Sequence, residues 1–536
     1  MSLVLLGIVV LPALGALGAT IAGDRRGQLA GRVSNAATGL SLALAAALAV
    51  HVALDGPVST VLERGDGRAL GGWYANHVGV ALLLLVCGVS TVAQAFAARY
   101  LRGDSHAGRF FAATGLLTAA TAAMVSAATL IGLAIAWTIA GLALWRLLGL
   151  YGRLPAAREG ARRTAHAFLI GDLALWIAVA VATAQWGALD LRELSTLAPV
   201  LAADQAVTAL VACLLVIAAI VRCAQLPAQQ WLPATLAAPT PVSALLHAGV
   251  VNAGGVLLVK LAPVFGASVI ATHLAFLAGA ATVIYGTTLM LVKPDVKGAL
   301  AHSTMGQMGF MIMTCGLGAF AAAIFHLIAH GMYKAALFLG SGAAVHRHVR
   351  HVKAPPMRAL SRRTRAAIAA LAVLAPALAL GAAATWLHPA VGGVQGSGAL
   401  LVFAWTTGAW SAWGWLCRHP STAGVLTLLA ASILAALGYV AVLSAVTAFL
   451  APAISPATAA VSPWLLAPVL AVFALATLVR LAPANSRLRE PHKTLYVLAL
   501  GAGHVTAQAA GHRAGARQPR RGGLGALIPR SQANRS

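Results

Sequence analysis

In the apolar run FAAAIFHLIAHGMYKAALFLGSGAA, three ionisable side chains recur every four residues: His326, His330 and Lys334. On a helix, positions i, i+4 and i+8 form one polar stripe. A neutral imidazole accepts a proton on one nitrogen and releases one from the other, and it cycles near neutral pH. A lysine at the end of such a row is a further proton carrier. The plainer alternative is a row of packing polars, or a lysine whose stem reaches the surface. Lys334 lies at least ten residues from either end of the run 320–344, which is deep for such a reach.

A second group lies in VRCAQLPAQQWLPATLAAPTPVSALLHAGVVNAGGVLLVK. Pro227 and Pro233 interrupt a helix that starts near Asp204, and Arg222 stands just before the break. Broken helices at membrane depth occur where the freed backbone lines a polar cavity or is buried in protein. Ser243, His247 and Asn252 follow on the next run, where Gly254 and Gly255 allow a neighbouring helix to approach closely. His247 reads as a relay residue beside the broken helix. Lys260, at the outer end of its run, is a lower-ranked candidate, and so is Ser243. A third segment, PDVKGALAHSTMGQMGFMIM, puts His302, Ser303, Thr304 and Gln307 at the start of a span; a capped polar first turn and a water-filled entry path explain it equally.

The elements that position these groups are membrane helices. Only 9% of the 536 residues are charged and 60% are hydrophobic, with a mean hydropathy of +0.85; soluble domains carry about 25% charged residues. Runs of 18 or more apolar residues recur, and the fold class is all-α, a polytopic membrane protein of about 14–15 transmembrane helices with at least one broken helix near Pro227–Pro233. The expected spans lie near 2–22, 33–54, 76–98, 109–126, 128–150, 166–187, 205–224, 240–262, 268–291, 299–318, 320–344, 366–388, 397–417, 423–449 and 462–481. Functionally the chain divides into N-terminal helices (1–200), a channel core (201–345), a basic linker (346–365), C-terminal helices (366–484) and a basic tail (485–536).

The net charge of +25 is concentrated in short loops and the tail. Arg25, Arg26, Arg32, Arg99, Arg102, Arg109, Arg153, Arg158, Arg162, Arg163, Lys293 and Lys297 alternate with loops that hold only Arg64, Arg68 and Arg192, together with Asp55, Glu63, Asp66, Asp190 and Glu193. The positive-inside rule then puts the N-terminus outside and the C-terminus in the cytoplasm. No aromatics interleave the basic residues, so nucleic acid is not an expected partner; membrane lipid is. The five cysteines show no CxxC spacing, and no Gly-rich phosphate loop, metal cluster or nucleophile triad is present. Neither enzyme activity nor a cofactor is expected in this chain, and neither is a quinone or NADH site. The His-rich linker could hold a metal, but no Cys or acid accompanies it.

The runs RCAQLPAQQWLPATLAAPTPVSALLHAG, DVKGALAHSTMGQMGFM and AAIFHLIAHGMYKAALFLGSG resemble the proton-translocating antiporter-like subunits of respiratory complex I and of multisubunit sodium/proton antiporters. The resemblance is dense over 205–345 and reaches weakly to YLRGD and Trp137. HAGVVNAGG and KTLYVLALGAGH are most similar to one branch, the membrane subunits of energy-coupled inorganic carbon pumps of the DAB type. That resemblance implies a subunit, in a cell inner membrane, that passes protons or sodium ions inward. It also implies a large cytoplasmic zinc-containing partner, similar to a carbonic anhydrase, that captures CO2 or bicarbonate. The tail segment Leu495–His504 and the basic linker would dock it. Carried over by position, the family's first lysine is Arg222, its following histidine is His247, and its later histidines and lysine are His326, His330 and Lys334. The family's Trp-Glu pair reads Trp137–Thr138, which leaves Arg222 without the acid expected there, as a fixed field and not a proton carrier. The run 366–388 has no Lys, Asp or Glu to supply a second lysine, so conduction through the central His/Lys stripe is the economical reading. The alternative is a subunit of a sodium/proton antiporter or of a respiratory NADH-quinone oxidoreductase membrane arm; a membrane anchor with a vestigial channel is the third.

Overall fold

The computed structural model describes residues 1–63, 69–342, 361–387 and 397–454, with the single position 471. The expected span 462–481, most of the linker 346–365, the tail 485–536 and its Leu495–His504 segment lie outside the described residues. By its internal contacts the chain divides into Met1–Leu478 and Val479–Ser536, and every described residue belongs to the first unit.

Long apolar helices dominate because, in lipid, a helix satisfies its backbone groups within its own segment. The helices, long and short, are α1 (Ser2–Ala22), α2 (Gly27–Asp55), α3 (His77–Tyr100), α4 (Ala107–Ser126), α5 (Leu130–Leu148), α6 (Pro155–Trp186), α7 (Ala198–Ala203), α8 (Gln205–Arg222), α9 (Thr240–Ala248), α10 (Ala253–Lys260), α11 (Ala262–Gly266), α12 (Val269–Val292), α13 (Val296–Gly316), α14 (Phe320–Leu339), α15 (Arg362–Trp386), α16 (Ser397–Arg418) and α17 (Thr422–Leu450). Among the described residues, 12 helical segments are long and apolar enough to cross a membrane. The helices α13 and α16, with 21 and 22 residues, also match expected spans but carry more polar side chains.

Two features differ from the hydropathy reading, the start of α6 and a hairpin after α2, while the expected split between 109–126 and 128–150 is found; each has a local reason. α6 begins at Pro155, not near 166: hydropathy falls where the charges begin, but the helix continues, with Glu159 paired to Arg162 and Arg163 at 2.8 and 2.7 Å. The uncharged stretch 109–150 is split at Ala127, whose extended backbone ends α4, while the Thr129 hydroxyl caps α5 by accepting from Gly132 N (3.1 Å). The loop after α2 forms an antiparallel hairpin, β1 (Val58–Glu63) and β2 (Ala69–Ala75), which an all-helical reading omits.

This hairpin packs at one end of the bundle. Trp73 pairs with Ala127, Thr129 pairs with Asp190, and Arg192 bridges Asp190 (2.7 Å) and Glu63 (2.8 Å). Burial raises the Asp190 carboxyl, but hydrogen bonds from Arg192 and Ala69 outweigh it and hold the group below the usual carboxylate range. Other loops meet in a second set of contacts, in which Arg109 pairs with Asp24 (2.7 Å) and the Tyr151 hydroxyl donates to Asp104 (2.5 Å). The structure thus ties together loops that the charge count places on the same side.

Candidate functional site

The break after α8 is real and extends further than the prolines require. Between Arg222 and Thr240 the chain makes only short 3-10 turns, Gln229–Trp231 and Pro233–Thr235. The Trp231 indole donates to the Val221 carbonyl in the last turn of α8 (2.9 Å), which also accepts from Ala224 N (3.1 Å).

The next run is a second broken helix, where the sequence suggests one continuous span over 240–262. α9 stops at Ala248, a 3-10 turn covers Val250–Asn252, and α10 resumes at Ala253. Gly249 lowers helix propensity at that point. The interruption frees two carbonyls, and side chains satisfy both. Asn252 Nδ2 donates to Ala248 O (2.7 Å), and His330 Nε2 lies 3.2 Å from His247 O. A carbonyl only accepts, so His330 carries its proton on Nε2 and offers Nδ1 as the acceptor. Gly331 makes this contact possible, because a Cβ there would lie 2.9 Å from Ala248 O. Gly254 plays the same part against α8: its Cβ would fall 2.5 Å from Cys223 Sγ and 2.6 Å from Ala219 O.

The predicted stripe on α14 forms as spaced. The rings of His326 and His330 are 5.8 Å apart and nearly parallel. His247 stacks on Phe338 one face away, at 4.3 Å and 13°. Lys334 is 1% exposed, and its ammonium donates to Ser303 Oγ (2.8 Å) and to Leu300 O (3.3 Å) on α13. It lies five residues from Leu339, nearer the helix end than the run 320–344 implies, yet it bonds to a neighbouring helix and does not snorkel. No carboxylate pairs with it among the described residues. Its proton is therefore held by a hydroxyl and a carbonyl, and it can leave without an ion pair being broken.

His247 Nδ1, His326 Nε2 and Asn252 Oδ1 are buried with no hydrogen-bond partner. Orphaned polar atoms are uncommon in folded proteins and each calls for an explanation. Here three of them flank one row of titratable groups.

Arg222 belongs to a separate cluster. Its guanidinium lies 4.3 Å from the ring centre of Trp137 and 4.1 Å from that of Phe168. It donates to Asp172 Oδ1 at 2.7 Å, and the Trp137 indole donates to the same oxygen at 2.8 Å. Sequence reasoning misses Asp172, although it is the one acid in 166–187. The acid absent at position 138 is supplied from α6, and the Thr138 hydroxyl instead accepts from Trp176 Nε1 (3.1 Å). A buried guanidinium between two aromatic faces and a carboxylate stays charged.

The remaining candidates are dispersed. His302 is buried, and its Nδ1 donates to Gly298 O of its own helix (2.8 Å); its neighbour Ser303 is the residue joined to Lys334. Ser243 is buried on α9, one turn before His247. Lys260 donates to Val125 O (2.8 Å) and Ala127 O (3.2 Å), closing the C-terminal end of α4 and lining a cavity of about 320 Å³ with Tyr74, Asn76 and Arg192. Lys297, read from sequence only as a topology charge, donates to Ala238 O (3.0 Å) and anchors the first break to α13. Among the described residues, no three His, Cys, Asp or Glu side chains converge on a metal site.

A bundle of apolar helices around a buried row of histidines and a lysine defines an ion-translocating membrane transporter subunit and not a catalytic enzyme. The family described as NADH:quinone oxidoreductase/Mrp antiporter, transmembrane, matches residues 127–427, and the chain belongs to it. It is 35% identical over 418 residues to the probable inorganic carbon transporter subunit DabB1 of Halothiobacillus neapolitanus, covering 75% of this chain and 74% of that one. It is also 35% identical over 291 residues to NADH-quinone oxidoreductase subunit L of Escherichia coli, covering 54% of this chain and 48% of that one. Among solved structures, the Mrp complex from Dietzia sp. superposes with a TM-score of 0.62 and 25% identity over 96% of this chain and 60% of that chain. The chain thus spans only about half the length of subunit L, against three quarters of DabB1.

Proposed function

We propose that the chain conducts protons, or sodium ions in their place, along the row His326–His330–Lys334, with His247 and Ser303 as its lateral contacts. One observation carries this reading: a buried lysine held by neutral partners, in line with two histidines, beside the orphaned Nδ1 of His247 on a broken helix. A neutral His330 accepts at Nδ1 and donates at Nε2, and rotation of the ring resets it. Lys334 exchanges its proton at one end of the row. Arg222, held by Asp172, supplies a fixed positive field next to the first break, with His302 flanking the entry. The core 201–345 is the conducting part, 1–200 and 366–484 are its scaffold, and the N-terminus lies outside a cell inner membrane.

We further propose that this flux energises inorganic carbon uptake by a complex with a large cytoplasmic zinc subunit docked on the linker and tail. The relatives named as inorganic carbon transporter subunits support this. The test is purification of the full chain from its native membrane, followed by mass identification of the partner and its metal. A single large zinc protein is the expected result; recovery of flavin and iron–sulfur subunits, or of several small membrane subunits, overturns it. The second reading, an antiporter or respiratory subunit, draws on the superposition with the Mrp complex.

A further inference from the structure

A cavity of about 1080 Å³ lies away from the His/Lys row, between α1 and α4 on one side and α5 and α6 on the other. Its walls are apolar and belong to membrane-spanning helices, with Leu17, Ala112 and Leu116 among them. Its other lining is basic: Arg109, Arg146, Arg158 and Arg162. These residues lie where α1 and α5 end and where α4 and α6 begin, so all four belong to one face of the bundle.

Charge decides what this groove accepts. Arg109 pairs with Asp24 and Arg162 with Glu159, and neither acid lines the cavity. Arg158 touches only a carbonyl, Gly152 O at 3.3 Å, and Arg146 has no carboxylate partner among the described residues. Among the described residues, two guanidinium charges are thus without a carboxylate partner at the end of an apolar slot. Trp145, 46% exposed, flanks them at the depth where indoles favour the membrane interface.

We propose that this groove is a binding site for an anionic diacyl phospholipid, with the phosphate against Arg146 and Arg158 and an acyl chain between α1/α4 and α5/α6. Apolar walls opening onto the bilayer select a lipid over a soluble ligand, and surplus positive charge selects an anionic headgroup over a zwitterionic one.

The test is native mass spectrometry of the full-length chain titrated with dioleoyl-phosphatidylglycerol and, separately, dioleoyl-phosphatidylcholine. The expected result is preferential retention of phosphatidylglycerol. Arg146→Gln and Arg158→Gln should each weaken it about fivefold while leaving phosphatidylcholine unchanged. Both side chains are exposed, so folding is preserved, and size-exclusion profiles check this. Ala112→Trp, which fills the slot, should lower retention of both lipids. Equal retention of the two lipids by the unaltered chain, or arginine variants that bind as it does, overturns the proposal. Complete displacement by glycerol 3-phosphate would show a free-anion site and also overturns it. So would a photo-crosslinker at position 112 that captures a polypeptide in native membranes.

Discussion

Asp172 on α6 and Arg222 on α8 form a 2.7 Å ion pair inside the bundle, with the Trp137 indole bonded to the same carboxylate oxygen. The pair joins the end of the helix that precedes the first break to two neighbouring spans. It also explains how a chain with Thr138 where the resemblance expects an acid still compensates a buried cation.

Asp172→Asn leaves that guanidinium uncompensated, and loss of one partner of a buried pair costs about 3–5 kcal/mol. Thermal unfolding in detergent should show a clearly lowered midpoint, with Asp172→Glu recovering part of it. An unchanged midpoint for Asp172→Asn would show that the pair does not contribute to folding.

Lys334→Met keeps length and apolarity, so insertion and packing should survive. Ion flux in reconstituted vesicles should fall by about 100-fold, as for loss of a proton-transfer group. Ser303→Ala, which removes the 2.8 Å partner of the ammonium, should give a smaller loss. Flux at the unaltered level in Lys334→Met would mean the lysine only packs.

His330 and His247 should behave differently from one another. His330→Gln can still donate to the His247 carbonyl but cannot relay, so flux should drop while stability holds within about 1 kcal/mol. His247→Gln loses the ring stacked at 4.3 Å on Phe338, so it should lose stability as well as flux. Equal stability losses in both variants would assign both histidines to packing.

Asp190 gives the pH dependence of the loop end of the bundle. Its folded-state carboxyl is held below the usual value, so the stabilisation is present above the unfolded pKa of about 3.9 and is lost as pH falls through the lower folded value. Hydrogen exchange at 69–75 and 127–130 should be slow at neutral pH and accelerate only below about pH 4. Asp190→Asn should make exchange there fast at neutral pH. Acid-insensitive exchange would remove Asp190 as the cause.

The sequence by itself determined the helical class, nearly all the spans that can be described, the first break and the stripe His326–His330–Lys334. Hydropathy and i, i+4 spacing are local properties, and they are decided within one segment whatever lies beside it. Only the tertiary structure decided the rest. Asp172 and Arg222 are 50 residues apart in the chain, and no periodicity pairs them. The break at Gly249 became legible only when His330, 83 residues on, took up the freed carbonyl of His247. Lys260 read as a lower-ranked candidate at the end of its run, and Lys297 as a loop charge, until the carbonyls they cap, Ala127 and Ala238, were brought beside them. A buried polar group is stable only with a partner, and in a membrane that partner usually comes from another helix, so its identity is a property of packing.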